Sequence, residues 1–265
     1  GEMLVILTAG IDLSIGSLVK LSVLVSAILM DGNPDNVWMA VILTLGMGLV
    51  VGLIHAFLIN EFNLSPFVVT FASFFILQGI SLTITSKPIG RASRDFLMLY
   101  SQKFLGVPII VYYFIFITLL IMFLLRKTVF GKHIYAIGGN LSVAQLSGIP
   151  VKRVRYGVYG LCSVLAASTG LLWLMRMGVG DPVIGKELEL NAIIAVVIGG
   201  TSLFGGRGTV TGVLGGILLL TFTDNLLVVL GVNQFISGLI KGIIFVIAVA
   251  FYKQADRTRG GFSTP

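Results

Sequence analysis

The sequence predicts an all-α fold, a polytopic transmembrane helical bundle with about eight spans forming one domain over residues 1–265. Three observations lead there. Of the 265 residues 56% are hydrophobic and only 11% charged, with a mean hydropathy of +1.03. That leaves too little polar surface to cover a soluble domain of this size. The apolar residues fall in blocks of about 17 to 25, the length that crosses roughly 30 Å of hydrocarbon. The 18 Lys and Arg gather in the polar stretches between those blocks. The net charge of +7 and pI of about 9.7 therefore report membrane topology, not a nucleic-acid-binding face.

Residues 1–9 are too short to span and lack a signal-peptide layout; they read as the end of a helix, with earlier spans absent. Ala9-Gly10-Ile11-Asp12-Leu13-Ser14-Ile15-Gly16 then sets glycines on either side of an acid at the edge of an apolar run. This predicts a helix break, with Asp12 capping the next helix. Residues 13–30 form the first complete span and 31–37 a short acidic loop. The second span, 38–59, opens with Trp38, an interface residue. A tight turn at 60–66 leads into the third span, 67–85. The longer loop 86–107 carries Lys87, Arg91, Arg94 and Lys103 against Asp95, and 108–125 crosses again. After the basic segment 126–156 come a span at 157–175 and a mixed-charge loop at 176–190. Residues 191–200 are apolar but too short to cross alone. A glycine-rich stretch, 201–209, precedes a final hairpin of 210–229 and 235–252.

The chain is organised around 126–156. It holds Arg126, Lys127, Lys132, Lys152, Arg153 and Arg155 and no acid, which marks it as cytoplasmic. Alternating from there puts 60–66, 201–209 and the tail inside; the inner segments hold ten Lys and Arg against six outside, with 86–107 running against the rule. Within the segment Asn140 reads as an N-cap, 141–146 as a short helix, and Gly148 with Pro150 as its stop. So short a helix is marginal in water, and a partner at the membrane face is expected to hold it. Basic loops are common in multispanning proteins, so basicity alone does not assign docking.

Little in the chain points to chemistry. Gly180-Asp-Pro-Val-Ile-Gly185-Lys186 nearly spells a phosphate loop, but Glu187 stands where a hydroxyl should meet magnesium and no βαβ unit surrounds it. Chance explains it better. Cys162 is alone, and His55 and His133 lack ligand-spaced companions, so no metal site, cofactor or catalytic set is expected. Asp224 and Lys241 lie about 8–9 Å below one surface on adjacent arms of a hairpin, and an ion pair is favoured over a substrate contact. Asp12, Ser14, Gln78 and Asn191 are candidate polar groups for a solute path, each equally open to a capping or packing role. No charged ring suggests a channel. Gly199 to Gly206 echoes Ala9 to Gly16; an internal repeat and a shared need for small packing residues both account for it.

From Gly131 to Ile149 the chain spells G-x-x-x-Y-A-I-G-G-N-x-x-x-A-x-x-x-G-I. With Leu4 to Ser14, Pro66 to Thr70 and Ala195 to Thr209, this resembles the membrane subunits of bacterial ABC sugar importers of the ribose type, over nearly the whole chain. The resemblance implies a multi-pass permease of the bacterial inner membrane that carries a monosaccharide and has no ATPase site of its own. It implies a second permease subunit, a cytoplasmic ATP-binding cassette subunit and a periplasmic sugar-binding protein as partners, besides the lipid bilayer. It places Gly131, Ala136, Gly139, Asn140, Ala144, Gly148 and Ile149 in a coupling segment seated on the ATPase, so a charge at Ala144 is expected to uncouple hydrolysis from uptake. The missing first one and a half spans, Lys20 and Asp224 depart from the family pattern. Two alternatives remain: another cargo, a nucleoside or sugar-like signalling molecule, or a self-sufficient secondary transporter or channel using Asp12, Lys20, Asp224 and Lys241.

Overall fold

The computed structural model describes residues 1–185, 187–233, 236–243 and 246. Eleven α-helices are bounded within them: α1 Glu2–Leu7, α2 Ile15–Met30, α3 Val37–Glu61, α4 Pro66–Ile84, α5 Arg94–Ser101, α6 Ile109–Lys127, α7 Val129–Gly139, α8 Leu141–Leu146, α9 Val151–Met177, α10 Leu188–Ile198 and α11 Val210–Val229. The only sheet among the described residues is the hairpin of β1 Lys103–Phe104 and β2 Val107–Pro108.

Among the described residues five helical segments are long and apolar enough to cross a membrane: Pro34–Glu61, Pro66–Ile84, Ile109–Lys127, Val151–Met177 and Val210–Val229. At 1.5 Å per residue α4 and α6 are each about 28 Å long, the thickness of the hydrocarbon layer. The predicted crossing at 13–30 is the shorter apolar helix α2, and the stretch 191–200, read as too short to cross alone, is the shorter apolar helix α10. The last, 235–252, lies partly outside the described residues.

Around an apolar core that includes Leu4, Leu18, Ile134 and Tyr159, the bundle also buries polar residues and presents many large apolar ones outward. Trp38, Ile42, Val50, Phe75, Phe116, Phe123, Leu218 and Phe222 are exposed along α3, α4, α6 and α11, while Ser17, Lys20, Ser22, Ser26, Thr44, His55 and Ser163 are buried. The most extensive helix pair is α3 with α9, and α2 packs on both. A side chain at Gly52 would run into the Tyr159 carbonyl and the Gly160 backbone, so glycine there sets how closely α3 and α9 approach. α1 is buried along its whole length among α7, α9 and α10.

Two stretches read as loops prove structured. Segment 126–156 is almost entirely helical, with α7 ahead of the expected short helix and α9 beginning at Val151, not residue 157. Loop 86–107 contains α5, whose N-cap Ser93 accepts from Phe96 N, and then the β-hairpin. Short amphipathic helices packed on a bundle draw their stability from tertiary contact, which local pattern does not display.

Candidate functional site

The first helix break is real. α1 ends at Leu7 and α2 begins at Ile15, with Ala9 at φ +60 between them. Asp12 holds the turn: its Oδ1 accepts from Ser14 N at 2.9 Å and from Ser14 Oγ at 2.6 Å, and its own backbone N–H donates to Glu2 Oε1 at 3.1 Å. Asp12 and Ser14 are fully buried. His55 of α3 faces them, with Nδ1 3.9 Å from Asp12 Oδ2 and Nε2 2.7 Å from Ser73 Oγ on α4. The order Asp–His–Ser is that of a hydrolytic triad, but 3.9 Å exceeds hydrogen-bond range. Tyr159 of α9 sets its buried hydroxyl beside Gly10. The break is thus a polar knot inside the bundle. Asp12 and Ser14 share one turn, whereas Gln78 on α4 and Asn191 on α10 are half-buried, and no hydrogen bond among the described residues joins either to that turn.

The second break separates α10 from α11. Gly200, Gly205 and Gly206 take positive φ, Ser202 N donates to the Arg207 carbonyl at 2.8 Å, and Thr209 caps α11 by accepting from Gly212 N at 3.1 Å. The two breaks meet. Gly206 N donates to the Leu7 carbonyl at 3.0 Å, so an orphan carbonyl at the end of α1 is satisfied by an N–H from the other interruption. α7 seals the joint. Its Gly138 lies directly against the Leu7 carbonyl and Gly206 N, and Tyr135 Oη donates to the Gly208 carbonyl at 2.8 Å. Burial pushes the Tyr135 phenol above its ordinary pKa and the nearby Arg126 charge partly opposes it, so the hydroxyl remains a donor at neutral pH.

From this joint the chain runs straight into α8. Asn140 is at once the C-cap of α7 and the N-cap of α8, its side chain accepting from Val143 N at 3.0 Å, and Gly148 at φ +74 ends the element. The short helix therefore occupies the residues its sequence signals mark. Its faces are another matter. Ala144 is 3% exposed and packed in the core, whereas Leu146 is 89% and Val143 57% exposed. A charge at Ala144 would disrupt packing within this chain before it met any partner; the free surface is Val143 and Leu146. The flank is tied down by Asn60 Nδ2 donating to the Lys152 carbonyl at 3.1 Å and by the Lys152–Glu61 ion pair at 2.7 Å. Gly131 lets α7 pack on the Leu124 and Leu125 backbone of α6, Ala136 is half-buried within α7, Gly139 ends α7, and Ile149 follows α8, its N–H donating to the Ala144 carbonyl.

Elsewhere, Lys241 Nζ lies 2.8 Å from Asp224 Oδ1. Gly180 of the near phosphate loop is bridged to Ile89 by two backbone hydrogen bonds, and Lys186 falls outside the described residues. Glu2, His55, Ser73 and Tyr159 were not singled out from sequence. The signal that could have found them was a histidine in an apolar span, which needs a buried polar partner.

A family described as the permease component of branched-chain amino acid transport systems matches residues 1–249. The chain belongs to this permease family. Among curated relatives, this permease is 39% identical over 252 residues to the ribose import permease RbsC of Bacillus subtilis, covering 94% of this chain and 78% of the relative. It is 35% identical over 254 residues to RbsC of Escherichia coli K12, covering 94% and 79%. It is also 35% identical over 251 residues to the D-allose transport system permease AlsC of that organism, covering 94% and 77%. No solved structure matches the permease. Membership and five apolar helices of spanning length make it a multi-pass membrane protein.

Proposed function

We propose that the chain is the transmembrane subunit of an ATP-binding cassette importer for a monosaccharide of pentose or hexose size, in a bacterial inner membrane. A second permease subunit completes the path, a periplasmic binding protein delivers the sugar, and a cytoplasmic cassette subunit grips α8 through Val143 and Leu146. The bundle in this reading has about eight crossings, α1–α2 being one interrupted crossing and α10 half of another. The near full-length likeness to ribose and allose permeases carries the proposal. The exposed apolar face of a six-residue helix at the basic end of the bundle supports it.

Mechanistically, ATP binding closes the cassette subunits and α8 moves with them. The joint of α7 with the two breaks passes the motion into α1, α2, α10 and α11. Asp12 and Ser14 act by holding the first break; Gln78 and Asn191, half-buried on α4 and α10, are the polar groups assigned to the path. Selection rests with the binding protein, so the path needs little affinity of its own.

The test is reconstitution of the chain with its cognate cassette ATPase and binding protein in liposomes. ATP-dependent D-ribose or D-allose uptake is expected. Uptake by this chain alone, driven by an ion gradient, defeats the proposal. The family's description makes L-leucine the second cargo to assay; ATP-dependent leucine uptake without sugar uptake keeps the importer and overturns the sugar.

A further inference from the structure

We infer that Gly138 is a positioning residue, the point through which movement of α8 reaches both helix breaks at once. This rests on the importer reading above. Three backbone strands cross at Gly138: the end of α1 at Leu7, the second break at Gly205 and Gly206, and the end of α7. A β-carbon at Gly138 would fall onto the Leu7 carbonyl and the Gly206 amide, the two groups that bond each other across the breaks. A β-carbon at Gly205 would lie 2.8 Å from Ala9 N and 2.9 Å from the Gly138 Cα. Every group there is backbone, so no flexible side chain can swing aside.

The neighbouring glycine stands in a different environment. Gly139 has nothing within 4 Å of where its β-carbon would be, so the demand for glycine falls on one residue of the pair. Nor is the contact a single point, because one turn earlier Tyr135 Oη holds the Gly208 carbonyl at 2.8 Å. α7 therefore grips the second break twice and the first break once.

Leu7 is fully buried and Gly206 half-buried, so parting the bond leaves the Leu7 carbonyl short of a partner inside the bundle. The breaks consequently move together with α7 rather than past it. Asn140, which caps α7 and α8 at once, is the single residue between them, so little chain is available to absorb a displacement of α8. The joint is a rigid connection between the docking helix and both interrupted helices.

The experiment uses the whole complex in lipid nanodiscs and proteoliposomes, with D-ribose-loaded binding protein. It measures retained ATPase subunit, ATP hydrolysed and ribose moved per ATP. Gly46→Ala, on α3 with nothing within 4 Å of the added carbon, is expected to match wild type. Gly138→Ala is expected to retain the ATPase and its hydrolysis while ribose moved per ATP falls within the roughly 5- to 150-fold range of coupling energies. An unchanged ratio overturns the inference; so does loss of the ATPase from the complex, which would make Gly138 part of the dock. Should Gly138→Ala fail to insert, Tyr135→Phe decides, since it deletes one hydroxyl and adds no bulk. Its ratio is expected to drop by about two- to tenfold, the worth of one hydrogen bond, with the ATPase still bound, and an unchanged ratio again overturns the inference. Failure of the importer reading shows separately, in wild type that retains no ATPase or takes up no ribose with ATP.

Discussion

Replacing Leu146 with alanine tests the proposal that a cassette ATPase grips α8. The side chain is 89% exposed in this chain, so nearly all of its apolar surface is open to a partner. Burying a leucine fully is worth about 1.5–3 kcal/mol; scaled to that exposure, the docked side chain contributes about 1.3–2.7 kcal/mol. At about 1.4 kcal/mol per decade, Leu146→Ala should weaken binding of the cassette ATPase about ten- to a hundredfold. Nothing in the chain leans on this side chain, so folding should be unaffected. The assay titrates purified ATPase against the detergent-solubilised permease and reads the dissociation constant, with thermal melting as the control for folding. Leu105→Ala is the matched comparison, since Leu105 is 84% exposed at the tip of the β-hairpin, remote from α8 in the chain. ATPase affinity within about twofold of wild type in Leu146→Ala, or an equal loss in Leu105→Ala, would refute the assignment of Leu146 to the dock.

Asp12→Ala removes the acceptor of two Ser14 donors, and hydrogen bonds to a charged group are worth about 1.5–3 kcal/mol each; apparent melting temperature in detergent should fall sharply, while Asp12→Asn, which keeps an acceptor oxygen, should fall less. Gly52→Val should abolish a monodisperse gel-filtration peak, because it overpacks α3 on α9, whereas Gly46→Ala, with open space around it, should elute as wild type. Asp224→Ala should leave the 13%-exposed Lys241 ammonium without its partner and lower the melting temperature, and the double variant Asp224→Ala with Lys241→Ala should recover most of the loss; a strictly additive double variant argues that the pair is not coupled.

What could be read from sequence divides along a physical line. Asn140, Leu141 to Leu146 and Gly148 follow capping rules that act over a few neighbouring residues, and the short helix stands where those rules put it. The first break was legible because glycine beside aspartate at the edge of an apolar run is a local signal, although the N-cap of α2 is Ser14 rather than the expected Asp12, which instead holds the turn ahead of the helix. α7 was not legible. Its Gly-Lys-His and Gly-Gly stretches have poor helical propensity, and it is held by packing on residues far along the chain, Gly206 and Gly208 among them. The burial of Ala144 escaped the same way: a small residue on a short helix fits a docking face or a packed face, and only the neighbours decide. His55, Ser73 and Tyr159 come from three helices and gather at the first break only once the bundle is assembled, His55 facing Asp12, Ser73 pairing with His55 and Tyr159 lying beside Gly10.

The bond between the Leu7 carbonyl and Gly206 N bears on how such a chain is made. A ribosome must add about 200 residues between the two, at about 5–20 residues per second roughly 10–40 seconds. Throughout that interval the first interrupted segment waits in the translocon or the bilayer with an acceptor unanswered. The two interruptions can therefore be joined only after residue 206 has been made, late in synthesis.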